Sequence, residues 1–332
     1  MLKKMALPLA VLVFASLLAA SPAAPKYRES FLPPNNLKHR IGARDSGGIT
    51  EAQFNAVMDR MQALYGPIVA AHGATLVINR LWTDDTVNAS AQEEGGSWIL
   101  NMYGGLARDK SITQDGMALV ACHEMGHHLG GAPRYGGTDW AANEGKADYF
   151  ANAKCLHRFF GDAATASFTK PTTIASDDVA LAKAACAKSY KGAKDQALCV
   201  RSAEAGMSVT ALLGSLGGEP ASHFDTPDPA VVATTNDEHP AAQCRLDTYF
   251  QGSLCSKPYT TDMSNTDPAV GGCVLSQGYT SGMRPFCWYK PAANELIGPS
   301  GASIAASAER QSHAASSPAL ASLNASSVFS GL

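Results

Sequence analysis

Apolar residues recur at helical spacing from Phe54 through Val57, Met58, Met61, Leu64 and Tyr65 to Ile68. Thr50 stands three residues before Gln53, the spacing of a capping box, so "GGITEAQFNAVMDRMQALYGPIVAAHG" is predicted to be a helix. The period then changes. "ATLVINRLW", "TVNASAQ" and "SWILNMYGG" read as three strands, with "EEGG" as the turn between the last two. Helical spacing returns from Ser111, through Ile112, Met117, Leu119 and Val120, and runs into "ACHEMGHHLGG". Ser111 with Gln114, or Thr113 alone, would cap this helix, and Gly130 and Gly131 would end it. A Gly-rich loop, "GGAPRYGGTD", leads to a further helix from about Trp140 to Phe159. After Ser167 the pattern predicts two or three shorter helices, then the Pro/Asp-rich "GGEPASHFDTPDPA" and "EHPAAQCRLDTYFQG". Residues 291–332 are Ala/Ser-rich without aromatic periodicity and are expected to stay disordered, since they have too little apolar area to bury. The elements describe an α+β chain with a small antiparallel sheet.

Composition narrows this picture. The chain has 332 residues, 45% hydrophobic and 17% charged, which is ample for a core. A single domain over residues 25–290 is expected. The net charge of −3 and the lack of a basic patch interleaved with aromatics give no sign of a nucleic-acid surface. "MLKKMALPLAVLVFASLLAASPAA" carries two lysines, then an apolar run, then small residues, the pattern of a signal peptide over residues 1–24. Its apolar run is shorter than the ~20 residues a membrane span needs. Cleavage would leave no transmembrane segment and send the chain to the periplasm or out of the cell. Eight cysteines without a CxxC pair point to disulfides in such a compartment. Cys186 and Cys199 bracket a polar loop between two helical stretches and are the best single pairing. Cys255, Cys273 and Cys287 lie in a Gly/Pro-rich region where a staple would replace a missing core. Oligomeric state leaves no mark on the sequence.

The chemistry concentrates in "ACHEMGHHLGG". His123 and His127 are four apart on a predicted helix, within about 40° of one another and one turn apart, so both imidazoles can grip one Zn²⁺. Glu124 beside them is angled to reach a zinc-activated water as general base. Gly126 removes side-chain bulk next to the ligands. Glu144 and Asp148 in "NEGKADYFANAKC" share a face of the next helix. Glu144 is the natural third ligand, which leaves an open position, and Asp148 could accept the outer N–H of a ligand histidine. His128 points about 100° away from His127; it lines the groove, supports the ligands, or has no special role. Cys122 reads as a packed thiol or a disulfide partner.

Four segments in order, "TVNASAQEEGGSWILNMYGGLAR", "ALVACHEMGHHLGG", "NEGKADYFA" and "EHPAAQCR", resemble the HtpX/BepA-type family of gluzincin metallopeptidases over roughly residues 76–250. The resemblance implies a zincin-like fold, with an active-site helix, a glutamate-ligand helix after it and further helices beyond. It implies one zinc on His123, His127 and Glu144, with Glu124 as base, in an endopeptidase of extended peptide or protein substrates. His239 would then stabilise the oxyanion or act as a reversible extra ligand, and Arg245 would support that region. The substrate would pair with an edge strand, drawn from Asn88 and Ala89 and from Trp98, Leu100 and Met102. The family often has a long insertion between second and third ligands; here 16 residues separate His127 from Glu144. A zinc-stabilised envelope binding or chaperone-like module is the competing expectation.

Overall fold

The computed structural model describes residues 26–43, 47–137, 139–161 and 176–299. The predicted leader over 1–24, and the predicted tail from residue 300 on, lie outside the described residues. Residues 291–299 are described, and Glu295 among them is buried against Arg284.

Helix α1 (Glu51–Ala71) starts on its capping box: Gln53 N–H donates to Thr50 Oγ1, and Thr50 N–H to Gln53 Oε1. Its apolar stripe, Phe54 to Val69, packs on the sheet and the central helix. The strands are β1 (Lys26–Ser30), β2 (Thr75–Leu81), β3 (Ala89–Glu94) and β4 (Ser97–Tyr103). They lie in the order β1-β3-β4-β2. Gly95 and Gly96, both at positive φ, turn β3 into β4, as a two-residue hairpin requires.

Two expectations about the sheet need correction. It is mixed, not antiparallel: β2 runs parallel to β4, while β3 is antiparallel to β4 and to β1. A hairpin reverses the chain, so β4 runs the same way as β2, and β2 pairs with β4 instead of β3. Period-two alternation marks which residues share a face but not which strands are neighbours. For the same reason Trp98, Leu100 and Met102 are not on an edge. β4 is bonded on both sides, and Leu100 and Met102 are wholly buried. On the other side of the hairpin β3, which follows Asn88 and begins at Ala89, is covered by β1, so Asn88 and Ala89 are not on an open edge either.

Helix α2 (Gly104–Arg108) leads to α3 (Gln114–Leu129), which is capped by Thr113 Oγ1, accepting from Gly116 N–H. Ser111 instead gives its carbonyl to the Ser208 hydroxyl. Every residue of α3 up to His128 is buried. Such a helix carries no solvent stripe, so its polar residues have to be satisfied inside the protein. Helix α4 (Glu144–Phe150) starts at Asn143, whose side chain accepts from Lys146 N–H, a little later than predicted. It continues through a π-helical turn, Ala151–Leu156, into α5 (His157–Phe160). Among the described residues three α-helices follow: α6 (Ser176–Ser189), α7 (Ala193–Gly217) and α8 (Ala242–Leu254). α7 has 25 residues and is not short; its Ala- and Leu-rich sequence sustains it up to Gly218, a left-handed cap.

All eight cysteines are paired, as Cys122–Cys155, Cys186–Cys199, Cys244–Cys287 and Cys255–Cys273. The second of these is the predicted pairing. The last two tie down the loop-rich segment after α8, where Trp288 is wholly buried. No helix of the described residues is long and apolar enough to cross a membrane.

Candidate metal centre

The site forms where α3 crosses α4. A Cβ on Gly126 would stand 2.8 Å from the Ala147 carbonyl oxygen and 2.9 Å from its Cα. The missing side chain is what lets α4 approach, and the approach brings Glu144 to the two histidines. His127 Nδ1 lies 2.8 Å from the Ala142 carbonyl. A carbonyl only accepts, so Nδ1 carries the proton and Nε2 presents its lone pair. His123 Nδ1 lies 2.7 Å from Asp148 Oδ1, which turns its Nε2 inward in the same way. These Nε2 atoms stand 3.3 Å from Glu144 Oε2 (His123) and 3.5 Å from Glu144 Oε1 (His127).

The three donors of His123, His127 and Glu144 all lie within 4.8 Å of one another and are fully buried. Both Nε2 atoms and Glu144 Oε2 have no hydrogen-bond partner. Buried polar atoms left in this state are costly unless a further group satisfies them. Donors about 2.0–2.2 Å from one tetrahedral ion stand about 3.3–3.6 Å apart, so the observed spacing suits a metal ion. A second cluster among the described residues, Asp228 with Cys244 and Cys287, has its sulfurs in a disulfide and offers no thiolate.

Glu124 is wholly buried, and neither of its carboxylate oxygens has a partner. Burial pushes its pKa up to about 8, with the His123 charge opposing the shift. Burial also drives His127 down to about 4. Burial works against a charge on His123 too, yet Asp148 and Glu144 hold its pKa up at about 9. The facing histidines keep the Glu144 carboxyl well below the usual range despite its burial.

Behind the ligands lies a second layer. Asp148 receives both Arg245 Nε (2.8 Å) and Nη2 (2.7 Å), and the Tyr249 hydroxyl at 2.8 Å. This fork holds the carboxylate that orients His123. His239 Nε2 lies 3.4 Å from Glu144 Oε2. The structure therefore brings together His123, Glu124, His127, Glu144, Asp148, His239 and Arg245.

Other predicted residues fall elsewhere. Cys122 is a disulfide partner, joined to the π turn behind the site. His128 stacks on Trp98 at 4.9 Å between ring centroids, lies tilted against Trp140 at 4.7 Å, and lines a cavity of about 250 Å³. Three contributors escaped the sequence. The Tyr135 hydroxyl donates to Glu144 Oε1 at 2.7 Å. Tyr249 sits four residues after Arg245, so the shared helix face could have disclosed it. Phe31 lies edge-on to His123 at 4.9 Å, and no local signal in the sequence marks it. Comparison of the chain with protein-family models, with curated proteins and with solved structures finds no match.

Proposed function

We propose that this protein is a zinc-dependent endopeptidase. The observation that carries the reading is Glu124, a buried carboxylate without a partner, next to two histidines and a glutamate whose inward donor atoms are also unpartnered. A binding site needs three ligands; it does not need a fourth, uncompensated acid. The resemblance of the four ordered motifs to HtpX/BepA-type gluzincins supports the same reading.

His123, His127 and Glu144 would hold the ion, and a zinc bound there would supply a polarised scissile carbonyl and a water of pKa lowered toward ~7. Glu124 takes a proton from the attacking water and passes it to the leaving amine. His239 donates to the oxyanion that develops on the carbonyl. Asp148 and Arg245 keep His123 turned inward. The substrate is a peptide or protein in extended form. Four disulfides suit an oxidising compartment, in keeping with export.

One observation favours a second reading, a zinc-stabilised module with little or latent proteolysis: the outer edge of β3 is already paired, with β1. The deciding experiment is casein hydrolysis by the purified chain, with and without chelator, alongside its zinc content. Cleavage lost on chelation and restored by zinc supports the peptidase. One zinc per chain with no cleavage supports the module.

A further inference from the structure

Strand β3 carries β1 on its outer edge, antiparallel, with Lys26 opposite Glu93, Tyr27 opposite Gln92 and Ser30 opposite Ser90. The attachment continues beyond the strand. Phe31 N–H donates to the Ala89 carbonyl and Leu32 N–H to Asn88 Oδ1, both at 2.9 Å. Asn88 Nδ2 returns bonds to Ser30 Oγ at 2.9 Å and the Leu32 carbonyl at 3.3 Å. This is strand addition of the kind by which sheets take up extended peptides, performed by the chain on itself.

The register is the informative part. The Ser30 carbonyl accepts from His239 Nε2 at 2.7 Å, the same nitrogen that lies 3.4 Å from Glu144 Oε2. The next carbonyl, of Phe31, accepts from Arg245 Nη1 at 2.8 Å. The Phe31 ring packs against His123 and under the Arg245 guanidinium, 4.6 Å from its centroid. A strand that merely finished a sheet would need ladder bonds alone. This one also delivers two successive carbonyls to side chains wired to the metal centre through Glu144 and Asp148.

We propose that Lys26–Leu32 is a built-in, substrate-like strand held against the metal centre through His239, Arg245 and the His123 ring. It fills the peptide groove along β3 and keeps the site closed until it is displaced. It also names the substrate class: an extended segment with an aromatic residue followed by leucine, directly after the carbonyl presented to His239. The inference rests on the peptidase reading above. A tethered strand competes at millimolar effective concentration, so free peptides enter slowly while it is paired.

The test uses the full, zinc-loaded chain and casein. Tyr27→Pro disrupts the pairing with Gln92, so that the segment through Leu32 is displaced from the site more readily. Asn88→Ala removes the side-chain bonds to Ser30 and Leu32. Tyr27→Pro should cut casein about ten-fold faster than the parent, and Asn88→Ala several-fold faster. A synthetic peptide of residues 26–32 should suppress the gain competitively. The same peptide carrying Phe31→Asp should be about ten-fold weaker, its charge being unwelcome in an apolar site. Parent and Tyr27→Pro cutting equally fast, or a peptide without effect on the faster variant, overturns the proposal and leaves the peptidase reading standing. No cleavage by the parent or either variant, each carrying zinc, overturns the peptidase reading and this inference with it.

Discussion

Glu124 owes its chemistry to burial. Glu124→Gln keeps the shape of the site and removes the proposed base, so the zinc-loaded variant should retain its metal and lose casein hydrolysis. Undiminished cleavage would refute the assignment of the base. The same burial predicts a pH dependence for the metal-free protein. The ordinary pKa of 4.5 rises to about 8 at Glu124. Between these values the folded chain keeps a proton that the unfolded chain has released, so stability falls as pH climbs through the interval. His123, raised from 6.5 to about 9, adds stability that is complete below 6.5 and lost as pH rises through 9. Both slopes have the same sign. Thermal melts of the metal-free protein should decline between about pH 6.5 and about pH 8, and less steeply in Glu124→Gln; below 6.5 the opposite slope of His127, His128 and His157, which burial lowers to about 4, 3 and 4, works against the decline. Asp148→Asn leaves His123 less firmly held and should weaken zinc binding about 10–100-fold by competition with a chelating dye.

At the level of elements, the crossing of α3 on α4 decides whether the third ligand arrives. Gly126→Val would place side-chain carbons inside the Ala147 backbone. α4 must then back away and take Glu144 with it. The expected result is a loss of about 1–3 kcal/mol in denaturant unfolding, together with weakened zinc binding. Unchanged zinc affinity would show that the close approach is not what positions Glu144. Helix α8 bears on the site through Arg245, which is wholly buried and forked onto Asp148. Arg245→Ala leaves that carboxylate buried with less compensation and should cost about 3–5 kcal/mol by the same measurement.

Across the whole molecule, the disulfides bind the site to its surroundings. Cys122 precedes the first ligand in the chain, and Cys155 lies on the π turn that continues the glutamate-bearing helix. Their bond closes a separation of 33 residues. Replacing both by alanine should cost about 3–4 kcal/mol, if the bond acts by restricting the unfolded chain. Both helices are built into one core cluster with α1 and the sheet, so the variant should still fold. Reduction of the parent should lower its melting temperature in step.

Much of the site was legible in the sequence because it is local. Helical geometry alone puts His123 and His127 on one face with Glu124 beside them, and it puts Glu144 and Asp148 on one face of the next helix. The Thr50–Gln53 cap and the Gly95–Gly96 turn are likewise properties of a few adjacent residues. The rest depended on which surfaces meet. Alternation along β4 could not tell an edge from a central strand, because pairing partners are chosen by the packing of the whole sheet. Arg245 reaches Asp148, His239 approaches Glu144, and Ser30 and Phe31 lie across the centre, only because α8 and the N-terminal segment pack onto the core. The sequence by itself determined the reactive groups and their spacing along single helices, since covalent geometry dictates those. Tertiary structure decided which groups face each other and which strand lies along β3, since these contacts join residues up to 214 positions apart and exist only once the core has formed.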